Sequence, residues 1–414
     1  MTIPFFVVDR PMSLKILKYC ELDKQKGIFG LMGHANTTKN FQKSFKDFEA
    51  KNIIKAVDSG VFTREGCNLD YYKLFAIYDN MKAEYGVMID FIKEKKKTID
   101  SAKTAMKIYK KKKHPFKLVG VAQGKNLDEY VKCYEQLKEI GFQHIAIGGL
   151  LKKNVNSARW VKVKDEELLK KVLQQIRSTY KDDWLFLLGC YSPRRHFLFD
   201  EYKIYGGDYK GWIFNYKTPR MWIQELTKEL ESIKDHKIIK TKKLVIEKFK
   251  NMNDVQKREY RFKQVKMYFE NKVFSLFKNR LLIISCSQRK TNISNPAPAI
   301  EVYDGPIYRT LRKMKKHQQF PNNLHTIIIS AKYGVLGLYD LIDLYDLKMT
   351  ESRANEMKDE ITTNIQQFLN NKQFEEGFIS LGKTYLSTLD NYPFKFPIEQ
   401  SEGKIGEKLS QTKE

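Results

Sequence analysis

Eight short apolar runs separated by polar, helix-like segments place the tightest limit on what the first half of this chain can fold into. They are FFVVD, IFGLM, NIIKAVDSG, YGVMIDF, FKLVGVAQG, HIAIGGL, WLFLLGC and YKIYGGD. Several of the intervening segments have helical periodicity. In LDEYVKCYEQLKEIGF, for example, Tyr130, Cys133, Leu137 and Ile140 recur at three- and four-residue steps. Alternating strand and helix implies a parallel sheet with helical crossovers. Eight repeats favour a closed (β/α)8, TIM-like barrel of the α/β class over an open doubly wound sheet.

The pattern changes after Trp222. From Leu226 to Phe277 the chain is nearly all polar helix former without Gly or Pro, which reads as basic helices joining two domains. A second strand-rich unit starts at RLLIISCS and continues through LHTIIISAKYG and FEEGFISLG. The expected organisation is a barrel at 1–225, a basic helical linker at 226–278 and a smaller α/β domain at 279–400, followed by a frayed polar tail. At 414 residues, 42% of them hydrophobic, the chain is long enough for two cores.

No apolar run approaches the roughly 20 residues of a membrane-spanning helix, and MTIPFFVVDRP lacks the basic start and cleavage site of a signal peptide. The expectation is a soluble cytoplasmic protein with no membrane partner. The five cysteines lie far apart in sequence, suggesting reduced thiols rather than a disulfide framework or a CxxC knuckle. A net charge of +26 suits a partner with a phosphate backbone, where each Lys or Arg contact releases a counterion.

The run NIIKAV ends in Asp58, Ser59 and Gly60, so a strand that reads as buried finishes on a carboxylate and a flexible turn. Other runs end similarly: Asp90 after YGVMI, Gln123 and Gly124 after LVGVA, Gly148 and Gly149 after HIAI, and Asp208 after IYGG. In a (β/α)8 barrel the C-terminal strand ends converge on one rim, where such folds build their sites. An acid at one strand end is as readily a helix cap, but recurrence from strand to strand favours chemistry. Carboxylates can divide into nucleophile and general acid or base when their environments separate their pKa values. An amide and free glycine backbone can read the edge of a flat heterocycle. No dinucleotide loop, phosphate loop or HExxH is present. The parts suit cleavage or exchange of a glycosidic bond to a base.

At these positions the sequence resembles the tRNA-guanine transglycosylase superfamily. VDSGVF is similar to its DSGGF motif, VAQGK to its QGG segment and EIGFQHIAIGGL to its glycine-glycine-leucine strand, while YGVMIDF falls where that family carries its base-recognising aspartate. The four matches are in order over most of the first 210 residues. With GLMGHAN, they look most like the phage and bacterial DNA-guanine transglycosylases, which place a 7-deazaguanine in DNA. The resemblance implies that Asp58 is a general acid/base near the sugar, with Ser59 and Gly60 beside the substrate. It implies that Asp90 accepts from the guanine or 7-deazaguanine base, with Gln123, Gly124, Gly148, Gly149 and Leu150 completing the pocket. The family's nucleophile lies in a D-x-F-D segment. Here GGDYKGW keeps Asp208 but has Gly211 at the second acid, so Asp208 is taken as the nucleophile with Asp200 in reserve. The CxCxxC and histidine zinc site of the tRNA enzymes has no counterpart in YKTPRMWIQELTKEL, so no metal and no cofactor are expected.

SCSQRK, YDGPIYRTL and ISAKYGVLGLYDLIDLYDLKM resemble the peroxide-stress protein superfamily. In that domain Lys290, Arg309, Arg312 and Lys332 are expected to contact nucleic acid. The leading expectation is replacement of guanine in DNA by a 7-deazaguanine. The runners-up are base exchange in tRNA and a non-catalytic nucleic-acid-binding protein on a decayed barrel.

Overall fold

The computed structural model describes all residues except 62–67, 154–159, 164–165, 214–217, 294–295, 317–319, 371, 391, 404–410 and 412–414; within 151–163 it describes backbone only. Phe62 and Cys67 lie outside the described residues. The chain divides into two compact units, Met1–Phe274 and Ser275–Glu414.

Each of the eight apolar runs supplies one strand of a closed barrel. The strands are β1 (Ile3–Val7), β2 (Phe29–His34), β3 (Ile53–Asp58), β4 (Tyr85–Val87), β5 (Lys117–Ala122), β6 (His144–Ile147), β9 (Trp184–Leu187) and β10 (Gly206–Tyr209). All pair in parallel and in chain order, and β10 closes on β1. One helix follows each: α1 (Pro11–Tyr19), α2 (Lys39–Lys46), α3 (Tyr71–Asn80), α4 (Lys95–Tyr109), α5 (Leu127–Ile140), α6 (Glu166–Thr179), α7 (His196–Glu201) and α8 (Pro219–Leu230). Polar caps start several of them. Thr38, Asp70, Asn126 and Thr218 each accept a backbone N–H of the first turn. An antiparallel hairpin not anticipated from sequence, β7 (Leu151–Lys153) with β8 (Trp160–Val163), is inserted after β6.

Alternation along the strands sends every second residue into the barrel. Phe5, Met32, Ala56, Tyr85, Val87, Val119, Trp184 and Phe186 line its interior around a small void. Aromatic rings fill the N-terminal end. Tyr85 stacks on Trp184 at 5.0 Å, Trp184 on Phe186 at 5.9 Å, and Phe5 meets Phe186 edge-on at 5.0 Å. Phe5 has room because Gly30 stands beside it, where a Cβ would lie 2.2 Å from the ring. The bottom is closed by packing, which leaves the opposite rim for polar groups.

The segment expected as a linker is helical, forming α9 (His236–Lys250) and α10 (Asp254–Lys272), but it belongs to the first unit rather than standing between two. α10 buries Val265 and Phe269. The Phe269 ring lies 4.8 Å from Phe6 and 5.8 Å from Trp212, so it covers the outer face of β1. Two apolar residues among lysines seat this helix.

The second unit has a five-stranded sheet in the order β14 (Gly334–Gly337), β13 (Leu324–Ser330), β11 (Arg280–Ser285), β16 (Glu376–Ser380), β17 (Ile398–Gln400), antiparallel only at β14. Short strands β12 (Ala297–Pro298) and β15 (Leu341–Ile342) pair apart from it. Leu282 and Ile284 of β11 face a core shared with α11 (Ala299–Val302) and α12 (Pro306–Lys316). Leu281 and Ile283 face α13 (Glu351–Asn370). The near-continuous apolar strand is therefore covered on both faces. Among the described residues no helix is long and apolar enough to cross a membrane.

Candidate active site

Each barrel strand that ends on a polar group delivers it to the same rim. Ala56 lines the interior, and two residues later, on the same side of β3, comes Asp58. Asp208 occupies the equivalent inward position of β10, in register with Phe5 of β1. Asp90 follows β4 and Gln123 follows β5. The strand thus ends on an acid because its inward alternation continues past the packed interior into the site.

Among the described residues none of the three carboxylates forms an ion pair, Lys210 acting on Asp208 only as a minor opposing charge, and each is raised from its ordinary value. Burial lifts Asp58 to about 6, against the N–H of Gly60, which donates to its Oδ1 at 2.7 Å. Asp90 reaches about 7, through burial first and the charge of Asp58 second. Asp208 also reaches about 7, through burial, with the Gly189 N–H opposing and Asp58 again adding. Asp90 and Asp208 therefore both sense Asp58, which places the two of them near it.

Asp90 is 2% exposed and Gln123 is fully buried. The Gln123 amide donates to Asp90 Oδ2 at 2.5 Å, while its own oxygen accepts the Lys93 N–H at 3.1 Å. Lys93 holds a left-handed backbone (φ 60) to make that bond. Gln123 thus orients Asp90, with one amide N–H and its oxygen engaged. The Asp90 backbone is fixed through its neighbour: Tyr71 accepts the Ile89 N–H at 3.0 Å and Ser101 donates to the Ile89 carbonyl at 2.7 Å.

The glycines make room for this pair. A Cβ on Gly149, at φ +74, would fall 2.1 Å from Gln123 Oε1, and one on Gly148 would fall 2.7 Å from Gln123 Nε2. Tyr130 donates to the Gly148 carbonyl at 2.9 Å, and Gly124 lies so close to the Tyr130 backbone that a Cβ would approach it to 2.7 Å. Leu150 is buried beside them.

Three of the buried polar atoms without partners among the described residues belong to residues at the ends of these strands: Asp90 Oδ1, Ser59 Oγ and His34 Nδ1. His34 ends β2 in register with Asp58 and was not singled out from sequence, although GLMGHAN contains it. Orphaned buried groups call for a partner, and a polar ligand at the rim would supply it.

Asp200 lies elsewhere. It accepts the backbone N–H of Thr2, just before β1, at 2.5 Å and stands 3.7 Å from His196. That puts it at the N-terminal end of the barrel, away from the rim, and removes it as a reserve nucleophile. A side chain at Gly211 would meet the Tyr209 ring at 2.5 Å, so the position of the missing second acid is closed by packing. Cys20, Cys133 and Cys190 are buried thiols and Cys286 is partly exposed. Among the described residues no group of three His, Cys, Asp or Glu side chains is placed to hold a metal ion.

The four basic residues expected to contact nucleic acid divide into two kinds. Arg309 and Arg312 pair with Asp304 at 2.6 and 2.8 Å, and Arg312 also donates to the carbonyls of Ile300 and Tyr303. These hydrogen bonds, led by that of Arg309, pull Asp304 down to about 2. Arg312 is accordingly committed to holding the loop before α12. Lys290 and Lys332 instead lie over aromatic rings.

A family model described as "Family of unknown function (DUF6884)" matches residues 281–414, which is less than half of the chain and falls within the second unit. No curated protein matches the chain.

Proposed function

We propose that the barrel exchanges guanine in DNA for a 7-deazaguanine through an aspartyl-glycosyl intermediate. The observation that carries this reading is the set of three rim carboxylates, Asp90 buried and Asp58 and Asp208 half-buried, with Asp58 electrostatically linked to both Asp90 and Asp208 and one Asp90 oxygen left unpartnered among the described residues.

In this reading the proton held by Asp208, which titrates at about 7, first passes to Asp58, at about 6; Asp208, then ionised, attacks the sugar C1′, and the C1′–N9 electron pair leaves with guanine, which takes that proton from Asp58. The incoming deazaguanine gives its N9 proton back to Asp58 and displaces Asp208 from C1′, restoring both carboxyl groups. Asp90, aimed by Gln123, accepts the ring N–H donors of the base. Gly148 and Gly149 leave the room in which the Gln123 amide aims Asp90 at the base. The ligand's donors would relieve the buried charge that raises Asp90. The net charge of +26 supports a polyanionic substrate, and a base must leave the stack to enter a barrel rim.

Incubation with labelled 7-deazaguanine and either duplex DNA or tRNA tests the proposal. Label in DNA is the expected result. Label in tRNA alone would keep the exchange chemistry and overturn the choice of polymer, and label in neither would overturn the proposal.

A further inference from the structure

The carboxyl edge of the second sheet gathers groups that the barrel chemistry does not use. β11 lies between β13 and β16, both parallel to it. The chain leaves β11 toward one neighbour and later returns to the other side, so the strand ends open where open α/β sheets take ligands. Cys286 follows β11 directly, with its Sγ 3.1 Å from the Tyr385 hydroxyl. Ser330 ends β13, and its Oγ lies 2.8 Å from the Tyr345 hydroxyl, itself 2.8 Å from that of Tyr303.

Two ammonium groups converge on this hydroxyl cluster. Lys290 Nζ stands 4.1 Å from the centroid of the Tyr345 ring, and Lys332 Nζ stands 5.5 Å from the same centroid. Among the described residues neither has a carboxylate partner, and Asp304, next to the Tyr303 that bridges to Lys290, is taken by Arg289, Arg309 and Arg312. Two like charges drawn to one ring repel each other, and a single ring's quadrupole neutralises neither. A dianion reached by both would neutralise them and take hydrogen bonds from the neighbouring hydroxyls.

We propose that the crevice formed by Cys286, Lys290, Ser330, Lys332, Tyr345 and Tyr385 is a second ligand site, separate in chemistry from base exchange, which binds the phosphate group of a nucleotide, either free or within a polynucleotide. Lys290 and Lys332 supply the charge. The tyrosines supply hydroxyl donors and flat faces for the rest of the ligand. Cys286, the partly exposed thiol among the described cysteines, reports on occupancy.

The test uses the full chain and follows alkylation of Cys286 by iodoacetamide, resolved by peptide mass spectrometry. The probes are inorganic phosphate, a mononucleotide and a short single-stranded oligonucleotide. Saturable, several-fold protection of Cys286 by phosphate or the mononucleotide is expected. It should be lost in the Lys290→Gln/Lys332→Gln double variant, retained in Lys332→Arg, and unchanged in Asp208→Asn. Protection by the oligonucleotide alone, lost in the same double variant, would support the site and assign the phosphate to a polymer. Equal alkylation with and without all three probes would overturn the proposal, and so would protection that survives removal of both lysines. Circular dichroism of the double variant separates loss of binding from loss of fold.

Discussion

The two units build their polar groups on the same architectural feature, the carboxyl ends of parallel strands, and load it with opposite charge. At the barrel rim Asp90 is buried and Asp58 and Asp208 are half-buried, none in an ion pair among the described residues, and they are raised to about 7, 6 and 7. At the edge of the second sheet the corresponding acid, Asp304, is surrounded by three arginines and pulled down to about 2. Unpaired buried charge is costly and is expected where chemistry needs it, whereas a satisfied ion cluster serves structure. The first edge therefore reads as reactive. The second is largely structural, with two lysines left over to bind.

The sharpest way to break this contrast is to remove the charge from the rim. Asp208→Asn should abolish exchange and any covalent enzyme–DNA adduct while DNA binding persists, because the amide keeps the shape and loses the attacking charge. Asp58→Asn should slow the reaction by about 10²- to 10⁴-fold, the usual range for a general acid or base, and leave an adduct visible on a denaturing gel. Full activity of Asp208→Asn would remove it as the nucleophile.

A smaller effect tests the cradle beneath the acids. Gly149→Ala places a Cβ on the Gln123 oxygen and forces a left-handed alanine. It should cost about 1–3 kcal/mol of stability in a denaturant titration and weaken base binding, since Gln123 can then no longer hold Asp90. Unchanged stability would mean that this backbone is looser than its contacts imply.

Much of the barrel was legible in the sequence because strand alternation and the acids at strand ends are one pattern: Ala56 and Asp58 are successive inward residues of β3, the first in the interior and the second at the rim. The parts that were not legible depend on partners distant in sequence. Nothing in VAQGK says that Gln123 is occupied by Lys93 on one side and Asp90 on the other. Val265 and Phe269 are diluted among lysines, so the helix that covers β1 read as a linker. Arg312 and Lys332 looked alike as basic residues, and only their neighbours separate them.

The rim acids also set a pH dependence of stability. In the unfolded chain these groups return to the ordinary Asp value near 4, whereas folded Asp90 and Asp208 titrate at about 7. Between those values the folded state binds more protons, so stability falls as pH rises from about 4 to about 7 and levels off above. Asp208→Asn removes one such penalty while keeping an acceptor for the Gly189 N–H. It should be more stable than the parent by about 1–3 kcal/mol at pH 8 and nearly equal to it at pH 4. The same difference at both pH values would assign the gain to packing instead of charge.

The smallest effect separates the two kinds of base in the second unit. Arg312 donates to two backbone carbonyls and to Asp304, so Arg312→Ala leaves three acceptors to find new partners and should destabilise that unit by about 1–3 kcal/mol. Lys332 is exposed and, among the described residues, its ammonium lies over ring faces, so Lys332→Ala should stay within about 0.5 kcal/mol of the parent. Binding to DNA should show the reverse order, with Lys332→Ala lowering the salt dependence by about one released counterion and Arg312→Ala leaving it unchanged. If Lys332→Ala proves the more destabilising of the two, the ammonium is holding Tyr333 and Tyr345 in place. Its role is then the structural one assigned here to Arg312, and the contrast between the satisfied cluster and the free cations disappears.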